Sequence, residues 1–195
     1  NTYGDNIVPI EFELTQKETI EEMAKIAQDV DIVVSNAGVI KLSTPVEGEM
    51  FDALKYQMEG NVFSLVHMAQ AFGPVLKKNG GGAFVQMNSL ASIKNFLPFT
   101  GYSASKAASY AITQGLREAW SGQGTQVISV IAGPIKTDMS KSAGMAEGAP
   151  EPSLVADGII TALGNGNFFV YPDKIAQSVA ETYGPFAKNV LEIEH

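Results

Sequence analysis

Short apolar runs alternating with helical stretches limit what this chain can fold into more than any other feature. Asp31–Ser35 (DIVVS), Ala83–Met87 (AFVQM) and Gln126–Ile131 (QVISVI) are near-continuous apolar runs of strand length. Strands read this way when helices cover both faces of the sheet, since side chains pointing either way are then buried. Ile7–Phe12 and Phe168–Tyr171 are expected to be two further strands. Helical periodicity is expected from about Thr15 to Gln28, Val46 to Lys78 in one or two pieces, Ser103 to Trp120, and Leu154 to Leu163. Thr15 is placed to cap the first helix, with Glu18 at the capping-box position. Gly80-Gly81-Gly82 is expected to form the turn into AFVQM, residues 172–192 to mix helix and loop, and Ser140–Pro152 to be irregular. The alternation implies βαβ units and an α/β fold, a three-layer doubly wound parallel sheet in a single domain over residues 1–195.

Composition removes several classes of function. The chain has 13 basic and 21 acidic residues, a net charge of −8, so no nucleic-acid partner is expected. Cysteine is absent, which excludes disulfides and thiolate metal sites. A histidine metal site or a Ser-His-Asp triad would have to use His67 or His195. His67 lies in a helical apolar pattern and His195 is the last residue, so neither is expected to be catalytic, and no metal is expected. No run approaches the roughly 18 apolar residues of a membrane span. No signal peptide is visible, although the first residue is Asn1 rather than Met. No membrane partner and a cytoplasmic location are the resulting expectations.

In an open α/β sheet, ligands bind beyond the carboxyl ends of the strands. Three segments follow such ends: Asn36-Ala37-Gly38, Asn88-Ser89, and Ala132-Gly133-Pro134-Ile135-Lys136-Thr137. Tyr102 lies 13 residues beyond Ser89 and opens a helix, with Lys106 four positions later. Residues at that spacing share a helix face, about 5–6 Å apart at Cβ. A phenol of ordinary pKa, about 10, is a poor base at neutral pH. An ammonium about 4 Å away contributes on the order of 4 kcal/mol at an effective dielectric of 20, enough to bring the phenol toward operating pH. Taken alone, Tyr and Lys four apart are a common surface pair; their distance from a serine at a strand end makes them candidates for chemistry.

These motifs resemble, in order along the chain, those of the short-chain dehydrogenase/reductase family. The family's YxxxK motif is matched by Tyr102 and Lys106, and its catalytic serine by Ser89 in Asn88-Ser89-Leu90-Ala91-Ser92. Its NNAG motif is matched by Ser35-Asn36-Ala37-Gly38 with Ser in the first position, and its PG…T segment by Ala132–Thr137 with Ala in place of Pro. Its helical Asn is matched by Asn61, nine residues before Gln70-Ala71. The resemblance implies a Rossmann-like fold and a hydride transfer between NAD or NADP and a small-molecule alcohol or ketone. It makes Tyr102 the acid/base, Ser89 the donor to the substrate oxygen, and Lys106 the group that lowers the phenol's pKa and holds the nicotinamide ribose. Asn61 anchors a water behind Lys106. Asn36, Ala37, Gly38, Gly133, Ile135 and Thr137 approach the cofactor, Ile135 and Thr137 at its carboxamide, and Glu13-Leu14 occupies the place of a family Asp-Val that meets adenine. Beside these stand structural readings: Asn61 as a satisfied buried amide, Ser92 as structural, Thr137 as a helix cap, and Met139 and Met145 as pocket wall.

The family begins with a strand, a glycine-rich turn and a helix that receives the pyrophosphate. Neither GxxxGxG nor GxGxxG occurs in the 195 residues, and Gly80–Gly82 precedes a strand rather than following one. The expected fold is therefore N-terminally incomplete, lacking a first βαβ segment, with DIVVS left as an apolar edge unless Ile7–Phe12 moves in to pair with it. A truncated, catalytically silent fragment is the alternative to an active enzyme. A non-redox binding relative is a further one; halohydrin lyases carry Arg where Lys106 stands. Helices 60–78 and 103–120 carry broad small or apolar faces, as in Ser64, Val66, Ala69, Ala108, Ala111, Ile112 and Trp120. One side of each is expected to cover the sheet. The other, the resemblance implies, pairs subunits into a homodimer or homotetramer; the structural alternative is that all of these residues are intramolecular core.

Overall fold

The computed structural model of the chain describes residues 6–190. Its elements are α1 (Lys17–Ile26), β1 (Ile32–Ser35), α2 (Met50–Met58), α3 (Ser64–Lys78), β2 (Ala83–Met87), α4 (Thr100–Trp120), β3 (Gln126–Val130), α5 (Asp138–Ser142), α6 (Ser153–Asn165), β4 (Phe169–Val170) and α7 (Lys174–Val190). The strands form one parallel sheet in the order β1-β2-β3-β4. Register aligns Ser35 with Gln86 and Gln86 with Ser129. The segments that follow β1, β2 and β3 therefore emerge at one edge of the sheet.

Alternation along the strands sets the layers. Val33 and Phe84 point to one face, where Ile20 and Ala24 of α1 and Leu65, Phe72 and Leu76 of α3 bury them. Trp120 of α4 meets the Phe84 ring edge-on, 5.5 Å between centroids. Val85, Ile128 and Val130 point to the other face, under Val155 and Ala162 of α6. Ala176 at the start of α7 joins Tyr110, Val127 and Ile131 in a third cluster. Fully burying a side chain such as Leu65, Leu76 or Phe84 contributes about 1.5–3 kcal/mol.

The structure departs from the sequence expectations in three places. Ile7–Phe12 is not a strand: among the described residues no strand pairs with it, and a lone extended segment has no ladder to hold it. It does not pair with β1, which stays at the sheet edge with Ile32 48% and Val34 46% exposed. Thr15 does not cap α1; its hydroxyl turns back to the Glu13 carboxylate at 3.1 Å, while Thr19 accepts the Glu13 N–H at 3.0 Å. Of the one or two helical pieces expected before Lys78, the structure has one continuous stretch, in which α2 passes into α3 through a π turn at Glu59–Phe63. Residues 174–190, expected to mix helix and loop, are one helix.

Candidate active site

Beyond the carboxyl ends of β1, β2 and β3 lies a cleft of about 540 Å³. Its lining includes Asn36, Ala37, Gly38, Ser89, Tyr102, Lys106, Gly133, Ile135 and Thr137. Nine expected site residues thus share one cavity. Asn61 stands directly behind it, whereas Glu13 and Leu14 do not line it. The Glu13 carboxylate instead accepts from Thr15. His67 lies elsewhere, in a groove between α1 and α3, and His195 falls outside the described residues.

Ser89 is aimed by its own turn. It stands in extended conformation ahead of the short 3-10 turn Leu90–Ser92, and its hydroxyl accepts the Ala91 N–H at 3.1 Å. The Ser92 hydroxyl accepts the Ser89 N–H at 3.1 Å, so Ser92 acts as the reciprocal cap. Asn88 faces inward and donates to Ser129 Oγ at 2.9 Å and Thr113 Oγ1 at 3.2 Å, which fastens the strand end to β3 and α4.

Tyr102 sits in the first turn of α4, half-buried, and its phenol is hydrogen-bonded to the Ser89 side chain. Both oxygens therefore face one cleft. Burial pushes the phenol above its ordinary pKa, and the bond from Ser89 opposes this only in part. This differs from the expectation that Lys106 pulls the phenol down. The Lys106 ammonium is 5.8 Å from the Tyr102 ring centroid and donates at 2.7 Å to the Met87 carbonyl, so removal of the phenol from water dominates. Lys106 itself is 5% exposed, and burial alone lowers its pKa from 10.5 to about 8.

Asn61 lies within the π turn, a type of distortion often found at functional sites. Its amide accepts the Val39 N–H at 2.7 Å and donates to the Val39 carbonyl and to Ser105 Oγ, both at 2.9 Å. That amide clamps the loop after β1 to α4. A Cβ on Gly38 would lie 3.0 Å from Asn61 Oδ1 and 3.7 Å from Lys106 Nζ, so only glycine keeps this space beside the ammonium open. Thr137 caps α5, accepting the Ser140 N–H at 3.2 Å, while also lining the cleft.

Asp173 escaped the sequence reading. It is 4% exposed and lies directly before α7. One carboxylate oxygen accepts the Gly133 N–H at 2.7 Å; the other accepts those of Ile175 and Ala176 at 3.0 Å each. A Cβ on Gly133 would come within 2.8 Å of that carboxylate. The available signal was an Asp before a helical segment, the commonest kind of N-cap. Its second partner, 40 residues away, had no local signature.

Residues 1–148 match the short chain dehydrogenase family. The chain belongs to that family. This short-chain dehydrogenase is similar to a crystal structure of a short chain dehydrogenase from Burkholderia cenocepacia J2315 in complex with NADP, at 30% identity and a TM-score of 0.86, over 96% of this chain and 78% of that one. It is 28% identical over 164 residues to an uncharacterized oxidoreductase of Staphylococcus aureus (strain USA300), covering 82% of this chain and 71% of the relative. A short-chain dehydrogenase of Talaromyces islandicus is 32% identical over 161 residues, 78% of this chain and 52% of that protein.

Proposed function

We propose that this short-chain dehydrogenase moves a hydride between NAD or NADP and an alcohol or ketone, with Ser89, Tyr102 and Lys106 as the working set and Asn61 positioning them. The observation that carries the reading is that Ser89 and Tyr102 line one cleft, next to a buried ammonium whose one hydrogen bond among the described residues is to a carbonyl. NADP in the Burkholderia relative supports a nicotinamide dinucleotide here. The residues fit such a group: the space kept open at Gly38 adjoins Lys106 Nζ, which has further protons to give ribose hydroxyls. Gly133, Ile135 and Thr137 would hold the nicotinamide end, and Asn36, Ala37 and Gly38 would flank it.

When bound, the cofactor supplies or accepts the hydride. Ser89 donates to the substrate oxygen and stabilises charge developing there. Tyr102 exchanges the proton with that same oxygen. Because burial keeps the phenol protonated at neutral pH, Tyr102 is set to donate in carbonyl reduction; alcohol oxidation needs the extra positive charge of the oxidised cofactor to favour the phenolate. Asn61 holds the loop after β1 against α4 and keeps the lysine's surroundings in place.

The test is the nicotinamide absorbance of the purified protein expressed from its complete gene, with NADH and NADPH against a panel of ketones, and with NAD and NADP against alcohols. Substrate-dependent change with at least one pair is expected. No change with any pair, while a nicotinamide cofactor binds, would overturn the reading.

A further inference from the structure

The cleft walls carry a message about the substrate, and the following rests on the hydride-transfer reading. Among the cleft-lining residues the only charge-bearing side chain at neutral pH is Lys106. It is 5% exposed and turned to the Met87 carbonyl. The rest of the wall away from the loops at Gly38 and Gly133 is mainly apolar: Leu90, Phe96, Phe99, Met139, Met145 and Ile175. Phe96 and Phe99 lie in the segment joining Ser89 to Tyr102, so they flank both hydroxyls in the chain. Met139 and Met145, unbranched and polarizable, adapt to varied apolar shapes.

Three cations close in the chain to lining residues are already engaged, and Lys41 and Lys174, next to Ile40 and Ile175, are exposed. Lys136 pairs with Glu151, Lys141 pairs with Asp138 at 2.9 Å, and Lys94 rests over the Phe96 ring at 5.4 Å. A substrate carboxylate or phosphate held against this wall would lose its water and find no cation in the lining beyond the lysine of the proposed catalytic set. Leaving a buried charge unpaired is heavily unfavourable.

We infer that the substrate is an uncharged, predominantly apolar secondary alcohol or ketone, and that the cleft rejects the same molecule bearing a carboxylate. Hydroxyls of Ser89 and Tyr102 bind its one polar atom, and the Phe and Met side chains bind its hydrocarbon.

A matched pair tests this: a medium-chain methyl ketone, and the same chain ending in a carboxylate. Binding of each is measured by calorimetry on the protein expressed from its complete gene, with NADPH present, and turnover of each is followed separately. The neutral ketone should bind at least about tenfold more tightly, a difference of about 1.4 kcal/mol. Met145→Lys should narrow or invert that preference by giving the carboxylate a partner, and Met145→Leu should leave it unchanged. Equal binding, tighter binding of the carboxylate, or no binding of either ketone overturns the inference. Preferential binding of the neutral ketone without turnover upholds the cleft's selectivity and overturns the hydride-transfer reading instead.

Discussion

Lys106 is a buried cation without a carboxylate partner among the described residues, and that makes its cost measurable. In the unfolded chain its amine titrates at the ordinary 10.5, in the fold at about 8. Below about pH 8 both states are charged, and the native state bears the whole penalty of burial, about 3 kcal/mol at 1.36 kcal/mol per pKa unit. Between about 8 and 10.5 the unfolded chain binds more protons, so stability from this group rises with pH; above that window the penalty is gone. Lys106→Met should therefore raise the thermal midpoint at pH 7, by less at pH 10, while abolishing turnover. A lower midpoint at pH 7 would contradict this account of the site. Tyr102→Phe removes one oxygen at a cleft edge and should change stability by less than about 1 kcal/mol. In a steady-state assay it should lose more than about nine-tenths of kcat under the general acid–base reading. Retention of more than that remaining tenth would remove Tyr102 from the acid/base role. At this scale the sequence was informative where spacing encodes contact. Tyr102 and Lys106 are one helical turn apart, and Ser89 ends a strand. Spacing did not reveal that burial outweighs the lysine in setting the phenol's pKa, since desolvation depends on everything packed around the ring.

Elements with strong periodicity were legible, and those that depend on a partner were not. β1, β2, β3, α3, α4 and α6 fall where apolar runs and helical patterns put them, within a few residues at their ends. Ile7–Phe12 has strand composition but lacks a neighbour, and pairing rather than composition makes a strand. The π turn at Glu59–Phe63 packs closely on the loop after β1, since a Cβ on Gly60 would come within 2.6 Å of Val39, and that contact has no local signature in the sequence. Asp173 shows how an element can tie a functional loop. Its carboxylate joins the start of α7 to Gly133, and Ile175 of α7 lines the same cleft. Asp173→Ala leaves the Gly133 N–H and the first N–H groups of α7 without their acceptor, a loss of about 1–3 kcal/mol. The variant should raise the cofactor KM more than it lowers kcat, and Asp173→Asn should recover part of both stability and KM. Unchanged cofactor KM in the Ala variant, at a temperature where it remains folded, would show that the loop does not need this anchor.

On the scale of the whole molecule, two surfaces are exposed. The first is built from α2, which packs on α4, and the π turn: Phe51 is 74% and Phe63 51% exposed, with Ala107 and Ala111 of α4 also exposed. Ser64 and Ala69 of the expected helical faces are buried, on the side that covers the fold. A homodimer or homotetramer using the exposed residues is the proposed assembly. Light scattering at micromolar concentration should give a mass above that of one chain, and a monomer would refute it. The second surface is the β1 edge, whose Ile32 and Val34 are uncovered among the described residues. Together with the lack of a GxxxGxG or GxGxxG pattern in the 195 residues, this predicts that the isolated chain binds NAD(H) and NADP(H) more weakly than micromolar. A micromolar Kd by calorimetry would contradict that prediction. The central claim, that this molecule transfers a hydride, is tested most directly by an isotope. NADH and NADPH deuterated at the transferable position of the nicotinamide are given with a ketone substrate to the protein expressed from its complete gene, and the alcohol formed is analysed by mass spectrometry. The account predicts deuterium on the carbon that bears the new hydroxyl; an alcohol formed without deuterium at that carbon would contradict it.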